Sequence, residues 1–172
     1  MTNFKNIDYL KSGNKRQKEA YLLLKTLKIF ESLKKYNPIL VGTFPIEIDI
    51  PESDLDIICQ FEDQDEFSQK LVEIFGKNES FSLNSKYFNG ILSIIAKFDA
   101  GNFKIEIFGQ NIPTEDQNAY KHMLIENKVL LEKGKEFKAA IVNLKQKGLK
   151  TEAAFSELLG LVGDPYKAML NI

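Results

Sequence analysis

Val41-Gly42-Thr43 is followed, after ten intervening residues, by Asp54-Leu55-Asp56-Ile57, and the reading of that stretch decides the fold. Side chains on an extended strand alternate between faces, so Asp54 and Asp56 share one face while Leu55 and Ile57 take the other. Two carboxylates on one face repel, and neither has a lysine or arginine beside it in sequence. A hard divalent cation relieves that repulsion, and oxygen donors suit Mg²⁺. The competing reading makes both aspartates solvent-face charges of an edge strand, where they discourage aggregation.

Working outward, a third acid has the same phase. In Phe103-Lys104-Ile105-Glu106-Ile107-Phe108, the isoleucines alternate with Lys104 and Glu106. If Ile105 and Ile107 share a core with Leu55 and Ile57, Glu106 emerges beside Asp54 and Asp56. Three converging carboxylates suit two-ion phosphoryl or nucleotidyl transfer. Gly42 permits close backbone approach, so the Gly42-Thr43 turn can offer N–H groups and a hydroxyl to phosphates. Ser53, just before the acidic pair, is a further candidate for holding phosphate.

The remaining chain reads as three regimes. Asn14 to Tyr36 is predicted helical, with Tyr21, Leu24, Leu27 or Lys28, then Phe30 and Leu33 on its apolar positions, ending at Asn37-Pro38. Ile39 to Gly109 reads as sheet with one inserted helix: strands at Ile39-Leu40-Val41 and Asp54 to Phe61, then an amphipathic helix from Asp65 to Phe75 closed by Gly76. Phe81–Phe88 and Ile91–Phe98 flank Asn89-Gly90, a strong hairpin signal, and Phe103–Phe108 adds a third strand. Ile46-Glu47-Ile48-Asp49-Ile50 alternates like a strand, but a tight hairpin there would put Asp49 on the apolar face. An irregular loop is expected instead, with Asp49 capping a turn or serving as a further site acid.

From Thr114 onward the chain is predicted helical. Thr114-Glu115-Asp116-Gln117 has the form of a capping box, Gly134 and Gly148 punctuate helices, Thr151 is a candidate cap, and Asp164-Pro165 opens a last short helix. His122, the single histidine, falls on the first of these helices, near Gln117 and Tyr120. Those three are candidates to line a nucleotide pocket, against the alternative of an ordinary structural or surface histidine. The expected division is residues 1–112 as an α/β core and 113–172 as a helical region packed on it.

Composition sets outer limits. At 172 residues the chain can bury a sizeable core, and 44% hydrophobic with 27% charged residues excludes wholesale disorder. A net charge of −1 gives no electrostatic indication of a nucleic-acid or membrane partner. No apolar run approaches the ~18 residues of a membrane span, and residues 1–15 lack the apolar segment of a signal peptide, so the cytoplasm is the expected location. One cysteine, Cys59, cannot form an internal disulfide and reads as a small core residue. Walker, nucleophile-elbow and HExxH motifs do not occur.

These motifs resemble the polymerase-β-type nucleotidyltransferases, which share a hydrophobic-Gly-(Gly/Ser) turn, a gap of about ten residues, an acidic-hydrophobic-acidic strand and a later strand with a third acid. Gly42-Thr43-Phe44-Pro45-Ile46, Ser53-Asp54-Leu55-Asp56-Ile57-Ile58-Cys59, Glu106-Ile107-Phe108-Gly109-Gln110 and Gln117-Asn118-Ala119-Tyr120 are more closely similar to a bacterial nucleotidyltransferase-like family of unknown function, over roughly Leu10 to Leu170. The resemblance implies a mixed sheet of four or five strands with flanking helices. It also implies Mg²⁺-dependent transfer from a nucleoside triphosphate to a hydroxyl of an unspecified acceptor, with Asp54, Asp56 and Glu106 as catalytic metal ligands. Thr43 departs from the family turn, and no triphosphate-gripping arginine is evident. Those departures leave open a degenerate relative that binds a nucleotide or protein partner without catalysis, or a member of a toxin–antitoxin pair by analogy.

Overall fold

The computed structural model describes residues 2–172, so Met1 lies outside it. Its five strands are β1 (Ile39–Val41), β2 (Leu55–Gln60), β3 (Glu79–Phe88), β4 (Ile91–Ala100) and β5 (Phe103–Gln110), and they form one mixed sheet in the order β1-β2-β5-β4-β3. β2 and β5 are parallel; the other neighbours are antiparallel. The crossover from β2 to β5 carries α3 (Gln64–Phe75) and the β3–β4 hairpin. Asn89 and Gly90 both take positive φ at that hairpin's tip, as its two-residue turn requires.

Alternation along the two central strands builds two cores. Leu55, Ile57, Cys59, Ile105 and Ile107 are buried on one face, under α1 (Lys15–Thr26) and α3. Phe67 of α3 lies so close to Gly109 that a Cβ there would sit 2.3 Å from its ring, which fixes glycine at that position. On the other face Ile39, Val41 and Ile58 meet Met123, Ile141 and Phe155 from the C-terminal helices. These are α4 (Asn118–Gln146), α5 (Thr151–Leu159) and α6 (Pro165–Met169).

Several local expectations are corrected. The helix expected through Tyr36 breaks after α1: Lys28 is left-handed, a four-residue α2 (Ile29–Ser32) follows, and a 3₁₀ turn spans Lys34–Tyr36. An unbroken helix would carry Lys28, four residues after buried Leu24, onto the apolar face; the break buries Ile29 and Leu33 there instead. The capping box at Thr114 does not form. Residues Thr114–Asp116 make a 3₁₀ turn and α4 starts later, because the Gln117 amide donates to the carbonyls of Cys59 (2.9 Å) and Ile112 (3.1 Å). Thr151 lies inside α5 behind Lys150 rather than capping it.

Other expectations hold. Gly76 caps α3, with right-handed backbone. Gly134 interrupts α4 with non-helical φ/ψ, and Asp164 caps α6 with Pro165 in its first turn. The 46–50 segment is a loop, and Asp49 takes neither expected role. Its carboxylate pairs with Arg16 at 2.8 Å and is 5% exposed, while the guanidinium lies over the Phe44 ring.

Ile57 tests the orientation of β2 directly. It is fully buried beside Asp56, so Ile57→Ala should cost ~2–5 kcal/mol through the cavity it leaves. Chemical denaturation in chelator measures this, and a silent substitution would mean the strand faces the other way.

Candidate functional site

The site grows from the register of β2 and β5. Because the pair is parallel, Asp56 lies directly opposite Glu106, and the same phase carries Leu55 opposite Ile105 and Ile57 opposite Ile107. Asp54, immediately before β2, shares the face. One carboxylate oxygen from each of Asp54, Asp56 and Glu106 lies within 4.8 Å of the others. Gly42 adjoins them with φ +75°, and a Cβ there would stand 2.7 Å from Asp56 Oδ2, so both conformation and space demand glycine.

Electrostatics at this cluster are poorly compensated. Burial, and then Glu106 and Asp54, push the Asp56 carboxyl up to about 7. Burial also raises Asp54, against the attraction of Lys97. Lys97 Nζ pairs with Glu106 and is itself raised by that bond. This lysine was missed in the sequence, although the signal was present. The Gly101-Asn102 turn sets Ala100 opposite Phe103, and counting back along the antiparallel pair puts Lys97 opposite Glu106. Three acids with one paired lysine form an oxygen donor set that fits a hard divalent cation.

Asp56 and Glu106 open onto a cleft of about 680 Å³ between the sheet and the C-terminal helices. Gly42, Thr43, Asp56, Lys97 and Glu106 line its sheet wall; Gln117, His122, Glu126 and Glu152 line its helical wall. Gln117 is buried, with its amide nitrogen given to two carbonyls and its Oε1 left without a partner, and His122 is buried against the Tyr166 ring, centroids 4.0 Å apart. Asp54 joins the acidic cluster without lining the cleft, and two further candidates are not brought to it. Ser53 Oγ accepts the Ile50 N–H at 3.0 Å and closes a local turn, and Tyr120 is buried in the second core. A separate cavity of about 590 Å³ near Lys5, Lys25 and Pro113 holds none of the clustered acids.

No curated protein matches this sequence. A family described as a domain of unknown function (DUF4269) matches residues 22–172. Among solved structures, the Cid1 poly(U) polymerase with Mg 3′-dATP bound aligns at a TM-score of 0.58 and 14% identity, covering 95% of this chain and 52% of that one. The polymerase core of TRAMP, an RNA surveillance complex, aligns at 0.54 and 13%, covering 95% and 50%. A cytoplasmic RNA terminal U-transferase aligns at 0.55 and 15%, covering 83% and 47%. This chain therefore spans about half the length of those structures and has the nucleotidyltransferase fold.

The raised carboxyl of Asp56 has a consequence for stability. Between pH 4 and 7 the native chain keeps a proton that the unfolded chain loses, so this group makes stability fall as pH rises through that window. Asp56→Asn removes the ionisation. In chelator the variant should match the parent below pH 4 and exceed it by on the order of 4 kcal/mol at pH 8, since the carboxyl rises from 3.8 to about 7 and each pKa unit is worth about 1.4 kcal/mol. Urea denaturation across pH measures the gap, and a variant less stable at pH 8 than at pH 4 relative to parent would contradict the assignment.

Proposed function

We propose that this chain, which belongs to the family of unknown function DUF4269, is a nucleotidyltransferase acting on a nucleoside triphosphate and a hydroxyl acceptor. The observation that carries the reading is the acidic cluster: Asp56 opposite Glu106 in parallel register, Asp54 in phase, on this fold. The nearby structures with nucleotide bound, of which the Cid1 complex with Mg 3′-dATP is one, support the substrate class. Asp54, Asp56 and Glu106 are assigned as the ligands of a two-ion Mg²⁺ site. When bound, Mg²⁺ supplies neutralisation of phosphate charge and lowers the pKa of the attacking hydroxyl.

The protein's own groups divide the remaining work. Backbone N–H groups at Gly42 and Thr43, with the Thr43 hydroxyl, receive phosphate oxygens. Lys97 stands beside Glu106 and can shift its charge toward the transferred phosphoryl group. Glu106 takes the proton of the acceptor hydroxyl, whose oxygen attacks the α-phosphorus as the α–β bridging bond breaks and pyrophosphate leaves. Residues 113–172 form a helical region closing the cleft over a 1–112 core, and the base and sugar lie toward Gln117.

A second reading has an observation in its favour. Arg16, the single arginine, is held by Asp49 and the Ile50 carbonyl and so is not free to grip a triphosphate. On that reading the cleft binds a nucleotide or partner without transfer.

Calorimetry and thermal unfolding separate the two. Mg²⁺ and nucleoside triphosphate together should stabilise the fold by about 2.7 kcal/mol at a hundredfold excess over Kd, and either alone by much less. Asp54→Asn and Glu106→Gln should abolish the joint effect and any transfer. Nucleotide affinity indifferent to chelator would favour the non-catalytic reading.

A further inference from the structure

The helical wall of the cleft carries a second cluster that nucleotidyl transfer does not use. His122 and Glu126 are one helical turn apart on α4, at i and i+4, and therefore share a face. Glu152, in the first turn of α5, comes up to them from a segment more than twenty residues away in sequence. One ligand atom from each of the three lies within 4.8 Å of the other two. We infer that His122, Glu126 and Glu152 form a second metal site, for a divalent first-row transition ion, tying α4 to α5.

The state of His122 points to a ligand. Its side chain is 3% exposed, and neither Nδ1 nor Nε2 has a hydrogen-bond partner. Buried polar groups are nearly always paired, and an imidazole facing two carboxylates with no bond to either needs an ion or another partner between them. Glu126 is also 3% exposed, and among the described residues it forms no salt bridge. The buried amine nearby, Lys145, gives its Nζ to the Ile48 carbonyl at 2.7 Å rather than to Glu126.

Donor chemistry separates the two clusters in the cleft. One imidazole nitrogen with two carboxylates suits Zn²⁺, Co²⁺ or Mn²⁺, and a neutral imidazole with two anionic carboxylates balances a divalent ion. The Asp54-Asp56-Glu106 cluster offers oxygen only, which suits Mg²⁺. Held by α4 before the Gly134 kink and by α5 after it, the ion would fasten the helical region across that interruption. The site stands independently of the proposed transfer reaction.

The test uses the full chain with the first cluster silenced by Asp54→Asn, Asp56→Asn and Glu106→Gln, or the parent in excess Mg²⁺. Calorimetry should find one equivalent of Zn²⁺, and Co²⁺ should give visible bands of mixed nitrogen–oxygen coordination. His122→Gln should weaken Zn²⁺ binding at least ~tenfold and remove those bands. Glu152→Gln, partly exposed at a helix start and so compatible with folding, should weaken it similarly and decides the matter alone if His122→Gln does not fold. Absence of Zn²⁺ binding under both silencing conditions, or binding unchanged in Glu152→Gln, overturns the site.

Discussion

The parallel pairing of β2 with β5 is the constraint on which the rest depends. Parallel strands need a long crossover, and here that crossover supplies α3 and the β3–β4 hairpin, so the pairing organises most of the sheet. Its register sets Asp56 against Glu106 and, one residue either side, Leu55 against Ile105 and Ile57 against Ile107. A slip by one residue would send isoleucines into the cleft and carboxylates into the core under α1 and α3. The hydrophobic core and the acidic cluster are therefore fixed by the same choice, and neither can be moved without the other.

Coverage of the second face decides where chemistry is possible. Around Ile39, Ile46 and Ile48 the C-terminal helices close over the sheet and extend the core; along Asp56, Glu106 and Phe108 they stand off, leaving the cleft. Carboxylates at the inner edge of that opening lose hydration without gaining enough positive charge, which is why Asp56 resists ionisation. Such a cluster weakens the protein at neutral pH, a cost that a bound cation would offset. Gly42 belongs to the same arrangement: its missing side chain lets the β1 turn approach Asp56.

The corrected residues share a physical cause. Arg16 and Asp49 are 33 residues apart, and their ion pair over Phe44 answers the awkward position of Asp49 that local pattern exposed but could not resolve. Gln117, 58 residues from Cys59, gives its amide to a strand-end carbonyl, and that long-range bond displaces the expected cap at Thr114. Lys28 breaks a helix whose local sequence favours continuation, because Ile29 and Leu33 gain burial beyond the break. In each case tertiary packing outweighs a preference worth a fraction of a kcal/mol per residue.

By itself the sequence determined the strands and the faces their side chains take, since alternation follows from the two-residue repeat of an extended backbone and needs no distant partner. It thereby determined that Leu55, Ile57, Ile105 and Ile107 point away from Asp54, Asp56 and Glu106, and that Asn89-Gly90 turns a hairpin. Even Lys97 opposite Glu106 could be counted from the Gly101-Asn102 turn. Only the tertiary structure decided that Ser53 closes its own turn, that Tyr120 joins the core, and that His122 meets Glu126 and Glu152. Those outcomes depend on how helices separated by a glycine kink settle against a sheet. Periodicity gives the face of an element and leaves its neighbour across space to packing.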